Sequence, residues 1–464
     1  MVQQKIEQGI FSRQFFPQWI AAAGVILVMA QLGAMCGWTS PYLAKLSRPD
    51  AEPHLDPGEA SWVASLINVG RFLGAFLGSG CTHLWGSKHA LLHTLVPMAL
   101  GWALILCAKD ALMLYLARVS LGLGMGMAFC CFPLYIGEIA VPRIRGAIVT
   151  VAFCGSPFGN VLASVIGAYT SMIVSSCVFL VPCLMAIALF WWLPDSPHHL
   201  VKRGDLEGAR QAIDWYRNGV GVDEELKAVQ AFVQSGDGAA SAFKNFLGQL
   251  SQPYIRKAIC MSMMLFMYMQ LSGLNSVLFY MENILREGQV TIIEPALTVI
   301  LVSVVGAITA LASINLMDKC GRRVLIMTSG CIITVSMLIL GASFVLLDHD
   351  YDPAYIQSFV VFSLFLFMIG FVAGLMPVPS AVLSELFPDN VKCAAACLAC
   401  LTGALFAFGA SKAYQPLVSL IGEGYVFFIH ALLMSTVVPF VLLYMPETKG
   451  KSLQEIQDIL SKKS

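Results

Sequence analysis

Residues 318–323 read DKCGRR, and 235 residues earlier, residues 83–88 read HLWGSK. The glycine and the closing cation recur in step, Gly86 with Gly321 and Lys88 with Arg323. Each stretch follows a long apolar run, the second run in one case and the eighth in the other, which points to an internal repeat. Two further pairs bear it out. Glu138 precedes Arg145 by seven residues after the fourth run, and Glu385 precedes Lys392 by seven after the tenth, at an offset of 247. Pro194-Asp195-Ser196 closes the sixth run and Pro446-Glu447-Thr448 the twelfth, at an offset of 252. The chain reads as two copies of one unit, inserted in the same direction.

The composition says which solvent that unit meets. Of 464 residues, 58% are hydrophobic and only 12% charged, against roughly a quarter charged in an ordinary soluble domain. Mean hydropathy is +0.75. Apolar runs of about 20 residues, enough to cross a hydrocarbon core of roughly 30 Å, recur near 18–42, 60–82, 88–108, 111–135, 146–170, 172–193, 255–281, 291–317, 323–347, 356–386, 393–418 and 424–445. The expected fold is an all-α membrane protein of 12 transmembrane helices in two parallel six-helix halves. The domains follow: a terminal segment 1–17, a first bundle 18–193, a polar linker 194–253 with short amphipathic helices, a second bundle 254–445 and a tail 446–464. The first apolar run has no small-residue cleavage pattern after it and reads as a retained helix.

Lys and Arg crowd the loops on one side, including Lys202, Arg203, Arg256, Lys257, Arg322, Arg323, Lys449 and Lys451, whereas Lys45, Arg48, Lys109 and Arg286 fall in loops of the other. The positive-inside bias places both termini and the linker in the cytoplasm, and a plasma-membrane location is expected. The zero net charge is thus split across a bilayer and gives no sign of a nucleic-acid partner. The cysteines lie almost wholly in apolar runs, against a disulfide framework. Cys393, Cys397 and Cys400 sit in CAAACLAC, a small-residue helix face without His or acidic ligands, so no metal is expected. GLGMGM, 122–127, follows no strand and lies inside a span, which reads as close helix packing, not a nucleotide loop. No cofactor and no obligate protein partner is indicated, and a monomer is expected.

A machine of two such halves needs charges on one face that pair when the halves close and release when they part. Glu138, Arg145, Asp318, Arg322, Arg323, Glu385, Lys392 and Glu447 supply them, in pairs worth about 1–3 kcal/mol each. The acids at matched offsets are not explained by topology-setting bias, which concerns cations alone.

PLYIGEIAVPRIRGA (133–147), PDSPHHL (194–200), QLSGLNSVLFY (270–280), DKCGRR (318–323) and PETKGKSLQEI (446–456) together resemble the signature set of the sugar porter family of the major facilitator superfamily, in order and over both halves. WTSPYLAKL, FGN at 158–160 and SKAYQPL at 411–417 are further similar to the insect trehalose and hexose facilitators of that family. The resemblance implies alternating-access transport of a small neutral sugar. It places Gln270 and Asn275 in a central site, Phe279 and Tyr280 as gate or wall, and Asn160 as the amide of the first half. Amides suit a ring of hydroxyls, each both donor and acceptor, without trapping it as a charge would. Pro377 and Pro379 mark a hinge in the tenth span.

Departures from the family pattern are equally specific. Met269 stands where the family has a glutamine, Ser380 where it has a tryptophan, Phe153 for a fifth-span glutamine, Gly306 for an eighth-span asparagine, and Gly403-Ala404 for Asn-Trp. A desolvated hydroxyl left unpaired costs about 1–3 kcal/mol, while a millimolar ligand binds with only about 4 kcal/mol. Either Thr39, Ser156, Ser380 and waters compensate, or the solute is not an ordinary hexose. The first-half stretch 83–88 also lacks the acid of DKCGRR, so the second-half network is expected to carry more of the closure. From Trp19 to Leu46 there is no Asp or Glu, and a proton symporter needs a titratable group along the path; uniport is the expectation. Arg71, Arg118 and Lys412 are the intramembrane charges, with Arg118 expected to meet a helix dipole or an acid. A carrier of another small neutral solute, a proton-coupled symporter and a transporter-like nutrient sensor are the alternatives. An enzyme is not expected, because His83, His89 and His93 gather around one loop without acid or nucleophile partners.

Overall fold

The computed structural model describes residues 12–235, 248, 252–387, 389–451, 454–456 and 459. Within its helices, the side chains of Ser235, Asp318, Asp389, Asn390 and Cys393 lie outside the description. The gate role expected of Asp318, the packing of Cys393 and parts of segments 1–17, 194–253 and 446–464 therefore fall outside the described residues.

The first half comprises α1 (Phe16–Gly37), α2 (Thr39–Leu46), α3 (Pro57–Leu106), α4 (Ala111–Ile139), α5 (Pro142–Tyr169) and α6 (Met172–Trp192). Among the described residues three short helices follow in the linker: α7 (Pro197–Lys202), α8 (Leu206–Arg217) and α9 (Val222–Ser235). The second half comprises α10 (Pro253–Leu271), α11 (Leu274–Glu287), α12 (Pro295–Cys320), α13 (Arg322–Asp348), α14 (Pro353–Gly370), a π-turn at Phe371–Leu375, α15 (Val378–Leu386), α16 (Asp389–Ile421), α17 (Glu423–Ser435) and α18 (Val437–Tyr444).

Eleven helical stretches among the described residues are long and apolar enough to span a membrane. The 50-residue α3 is two spans, because Gly86 interrupts it at φ 82°, ψ 167°. Gly321, its partner in the repeat, takes φ 83°, ψ 160° between α12 and α13. A side chain is strained at such φ, so the shared glycine of HLWGSK and DKCGRR is the corner that turns one span into the next. The twelve-span, two-half architecture is thereby accounted for.

Helix starts follow from the sequence. Proline opens α3, α5, α10, α12 and α14, where its missing N–H removes no bond. Asp56 and Glu59 form a capping box on α3, and Asp110 accepts from the Met113 N–H at 2.9 Å on α4. Spans then pack through small residues. A Cβ on Gly122 would stand 2.2 Å from the Ile67 carbonyl oxygen, and one on Gly126 2.2 Å from that of Arg71. GLGMGM is thus the face on which α4 lies against α3, as its composition suggested.

Four of the described spans are not continuous, one of them passing from α17 to α18 at Thr436. α10 and α11 are separated by Ser272 and Gly273, the latter at φ 89°. α1 gives way to α2 at Trp38. The π-turn Phe371–Leu375 precedes Pro377 and Pro379, which is where a missing donor and a restricted φ interrupt α-helical bonding. Interruptions inside a membrane survive only where neighbours satisfy the freed backbone.

Candidate functional site

The halves are fastened at the end opposite the linker, hereafter the far end. Ser61 Oγ donates to the Lys412 carbonyl at 3.1 Å, Asn68 Nδ2 lies 3.4 Å from Ser411 Oγ, the Ser164 and Ser303 hydroxyls are 3.2 Å apart, and the Glu282 N–H donates to Ser40 Oγ at 3.0 Å. The Lys412 ammonium sits 3.9 Å above the Trp62 ring. That cation is therefore held by a cross-half aromatic contact, which desolvation strengthens.

At the linker end the charged residues pair inside each half. Arg322 reaches Glu385 through Nε at 3.0 Å and Nη2 at 2.8 Å. Glu447 accepts the main-chain N–H groups of Arg322 and Arg323 at 3.1 Å each. Burial pushes its carboxyl up, but the N–H groups of Lys449, Arg322, Arg323 and Thr448 overrule that and hold it below the ordinary range. In the first half Asp195, the repeat partner of Glu447, takes Lys88 at 2.8 Å and His89 at 3.0 Å. The His89 hydrogen bond, ahead of Lys88 and against burial, holds Asp195 well below the carboxylate range. The cation that closes HLWGSK is thus paired by an acid from the PDSPHHL stretch.

Glu138 and Arg145 do not meet. The Glu138 carboxylate accepts from the Ser87 and Ser196 hydroxyls, and Arg145 donates to the Ala140 carbonyl at 3.2 Å. Lys392 makes no ion pair among the described residues. Of the expected gate network, Arg322–Glu385 and Glu447 at the head of α13 are the groups brought together.

Between the two ends lie the expected solute residues. Asn275 Nδ2 donates to Gln270 Oε1 at 3.2 Å, spanning the break between α10 and α11. Both are buried. Each amide thereby satisfies one group of the other and keeps its remaining donors and acceptors for a further partner. Phe279 and Tyr280 are buried on α11, and Tyr280 packs against Tyr414 with ring centroids 4.8 Å apart and the planes tilted by 34°. Tyr414 in turn donates to Glu423 Oε1 at 2.5 Å. Tyr414 is a residue that sequence reading left unassigned, although it stands in the quoted SKAYQPL.

Met269 is half-buried, and Gly306 faces Met368, whose Cγ would stand 3.0 Å from an added Cβ. Gly306 thus packs against an apolar side chain. Ser380 and Phe153 are exposed, Phe153 meeting Phe132 edge-on at 5.2 Å. Asn160 lies against α1, its Oδ1 2.9 Å from where a Gly37 Cβ would be, and that oxygen has no protein partner. The Tyr280 hydroxyl and the Trp38 indole N–H are likewise buried without one.

Thr39 is engaged differently from what its position in the first span suggested. It is fully buried, and its hydroxyl accepts from Arg118 Nη2 at 2.7 Å while donating to the Met35 carbonyl at 3.2 Å. Arg118, also fully buried, donates from Nη1 to the Met35 carbonyl and from Nε to the Val63 carbonyl, both at 3.0 Å. Its charge lies 5.6 Å from the Trp38 ring. Where a helix dipole or an acid is expected for Arg118, its partners are main-chain carbonyls, one of them in the last turn of α1, with a hydroxyl and a π-face and no acid among the described residues, so the Thr39 oxygen is committed to holding the cation.

The sequence pattern of the family described as "Sugar (and other) transporter" matches residues 20–460. The chain belongs to that family. It is 30% identical to the facilitated trehalose transporter Tret1 of Culex quinquefasciatus over 95% of this chain and 85% of the relative. To the Tret1 of Bombyx mori it is 28% identical over 95% and 86%. Against the Tret1 of Drosophila yakuba, 29% identical, it spans 51% of the relative's length. Among solved structures it is similar to the inward open conformation of the xylose transporter XylE from E. coli, with a TM-score of 0.77, 20% identity and coverage of 96% and 99%. It is similar also to the proton:xylose symporter XylE bound to 6-bromo-6-deoxy-D-glucose, at TM-score 0.72, 20% identity and coverage of 96% and 99%. This sugar transporter is therefore a multi-pass membrane protein of major facilitator fold, and it is not an enzyme. Its paired amides stand at the broken span, and its named linker-end ion pairs each belong to a single half.

Proposed function

We propose that this transporter carries a small neutral sugar, trehalose or a hexose, by facilitated uniport with alternating access. The observation that carries the reading is the Gln270–Asn275 pair across the break, two buried neutral amides with unused donors and acceptors. A polyol satisfies such groups without a net charge to desolvate. In this reading the site comprises Gln270, Asn275, Asn160, Met269, Phe279, Tyr280, Ser380 and Phe153, with Trp38 added and Thr39 acting through Arg118. Residues 18–193 and 254–445 rock about that site, and Pro377 and Pro379 lie in the hinge. Closure at the far end by Ser61–Lys412 and Ser164–Ser303 opens the site toward the linker, which lies in the cytoplasm with both termini; the plasma membrane is the proposed location and the monomer the working unit.

Uniport is favoured by the partners of Arg118. They are neutral oxygens and an aromatic face, and no carboxylate stands on α1 or α2. A second reading, another small neutral solute, is favoured by Met269 and Gly306, which leave fewer amides than a hexose site of the family offers, and by Ser380, which stands in place of an aromatic ring.

Counterflow of labelled trehalose, glucose and fructose, with non-sugar polyols as controls, tests the substrate in proteoliposomes. Saturable sugar exchange supports the reading; saturable non-sugar flux alone sinks it. Acidification of the lumen during sugar influx would overturn uniport.

A further inference from the structure

The break between α10 and α11 frees the Leu271 carbonyl from helical bonding, and it is taken by a side chain from another helix. His430 on α17 places Nδ1 3.0 Å from the Leu271 oxygen, and its Nε2 lies 3.4 Å from Ser276 Oγ. A carbonyl only accepts, so Nδ1 carries the proton, and the neutral ring's Nε2 accepts from the Ser276 hydroxyl. The ring is buried and closes on the break itself, its Cγ 3.4 Å from where a Gly273 Cβ would stand. One imidazole thus joins the end of α10 to the first turn of α11.

Leu271 follows Gln270, and Ser276 follows Asn275. The His430 bridge and the amide pair are therefore adjacent staples over the same five-residue span. The first half has a counterpart: at Trp38, between α1 and α2, Arg118 takes the Met35 carbonyl and the Thr39 hydroxyl. The opening spans of both repeats are each braced at their interruption by one side chain, which takes one carbonyl before the break and one hydroxyl after it. The braces come from non-equivalent helices, α4 and α17, and differ in residue type.

We propose that His430 is a positioning residue of the transport site. It fixes the angle between α10 and α11, and through it the mutual orientation of Gln270 and Asn275, without touching the solute. The inference rests on the sugar-site reading for its kinetic consequence but not for its structural one.

Backbone hydrogen exchange in nanodiscs tests the structural part on the intact transporter. In His430→Phe, amides 272–277 exchange about fivefold or more faster, the loss of roughly one net hydrogen bond, while those of α13 keep their protection. His430→Asn, whose amide nitrogen falls near the place of Nδ1, restores most of the protection. Counterflow tests the kinetic part: KM in His430→Phe rises about three- to tenfold with the maximal rate within about twofold, and His430→Asn recovers it. Should His430→Phe fold poorly, Ser276→Ala moves both readouts in the same direction by less. Wild-type exchange at the joint in the Phe variant, a KM unmoved while the joint loosens, or no movement in Ser276→Ala would overturn the proposal. Absence of sugar flux in the wild type sinks the sugar reading instead and leaves the exchange result to decide the joint.

Discussion

The amide nitrogen of Asn275 stands 3.2 Å from the side-chain oxygen of Gln270, across a break at Ser272–Gly273 that separates their helices. Two amides in one apolar span are costly unless each finds a partner, and here each supplies part of the other's need. The break makes this possible. In an unbroken helix the direct neighbours of residue 270 are three and four positions on, and the left-handed Gly273 instead brings the fifth into reach.

Asn275→Ala removes one partner and leaves Gln270 Oε1 buried without its donor. With a cost of about 1–3 kcal/mol, the specificity constant for sugar counterflow falls about 5- to 150-fold. Gln270→Ala does the same. The double variant loses less than the sum, because the pair is one unit. Strictly additive losses in the counterflow cycle would mean that the two amides act apart.

The fold was legible in the sequence because spans are long and the paired motifs recur in the same order after matching spans. Gly86 and Gly321, picked out by spacing, adopt the same φ and ψ. Who pairs with whom was less legible. Glu138 and Arg145 look like partners seven residues apart, yet the chain turns between α4 and α5 and sends Glu138 to two serines. Thr39 looks like a free hydroxyl until α4 brings Arg118 to it. His430 carried no signal at all, since a lone histidine in an apolar span shows its purpose only once α17 lies behind the break. Trp38 and Tyr414 were within quoted motifs, but a ring's stacking partner is set by packing between spans, which spacing does not encode.

Arg118 makes three hydrogen bonds in three directions, which a guanidinium fork can do and an ammonium does imperfectly. Arg118→Met is expected to cost about 3 kcal/mol, the scale of breaking a buried charged network, and Arg118→Lys about half. Thermal unfolding of the purified protein reads the order: wild type, then Lys, then Met. A Lys variant as stable as wild type would show that the fork geometry is dispensable.

Glu447 provides a pH test outside the membrane spans. Its carboxyl is held below the ordinary range by main-chain N–H groups at the head of α13. A depressed acid contributes stability above its unfolded pKa, and the contribution is lost as pH falls through the folded value. Glu447→Gln should therefore lower the melting temperature at neutral pH, and the gap to wild type should close as the pH is taken below the carboxylate range. A gap that stays constant with pH would assign the loss to packing.

The far-end fastening can be locked. Ser164 Oγ on α5 and Ser303 Oγ on α12 are 3.2 Å apart, within reach of a disulfide after small adjustment, and they belong to different halves. In Ser164→Cys/Ser303→Cys, mild oxidation should abolish sugar counterflow, because the far end can no longer open, and reductant should restore it. Binding from the linker side should survive the lock, since that side is not held by this pair. The single-cysteine variants and wild type, oxidised alongside, control for the native cysteines and should keep their flux. A double variant that is fully cross-linked by mass spectrometry yet transports at the wild-type rate would show that these two helices stay together through the cycle, and that the far end opens elsewhere.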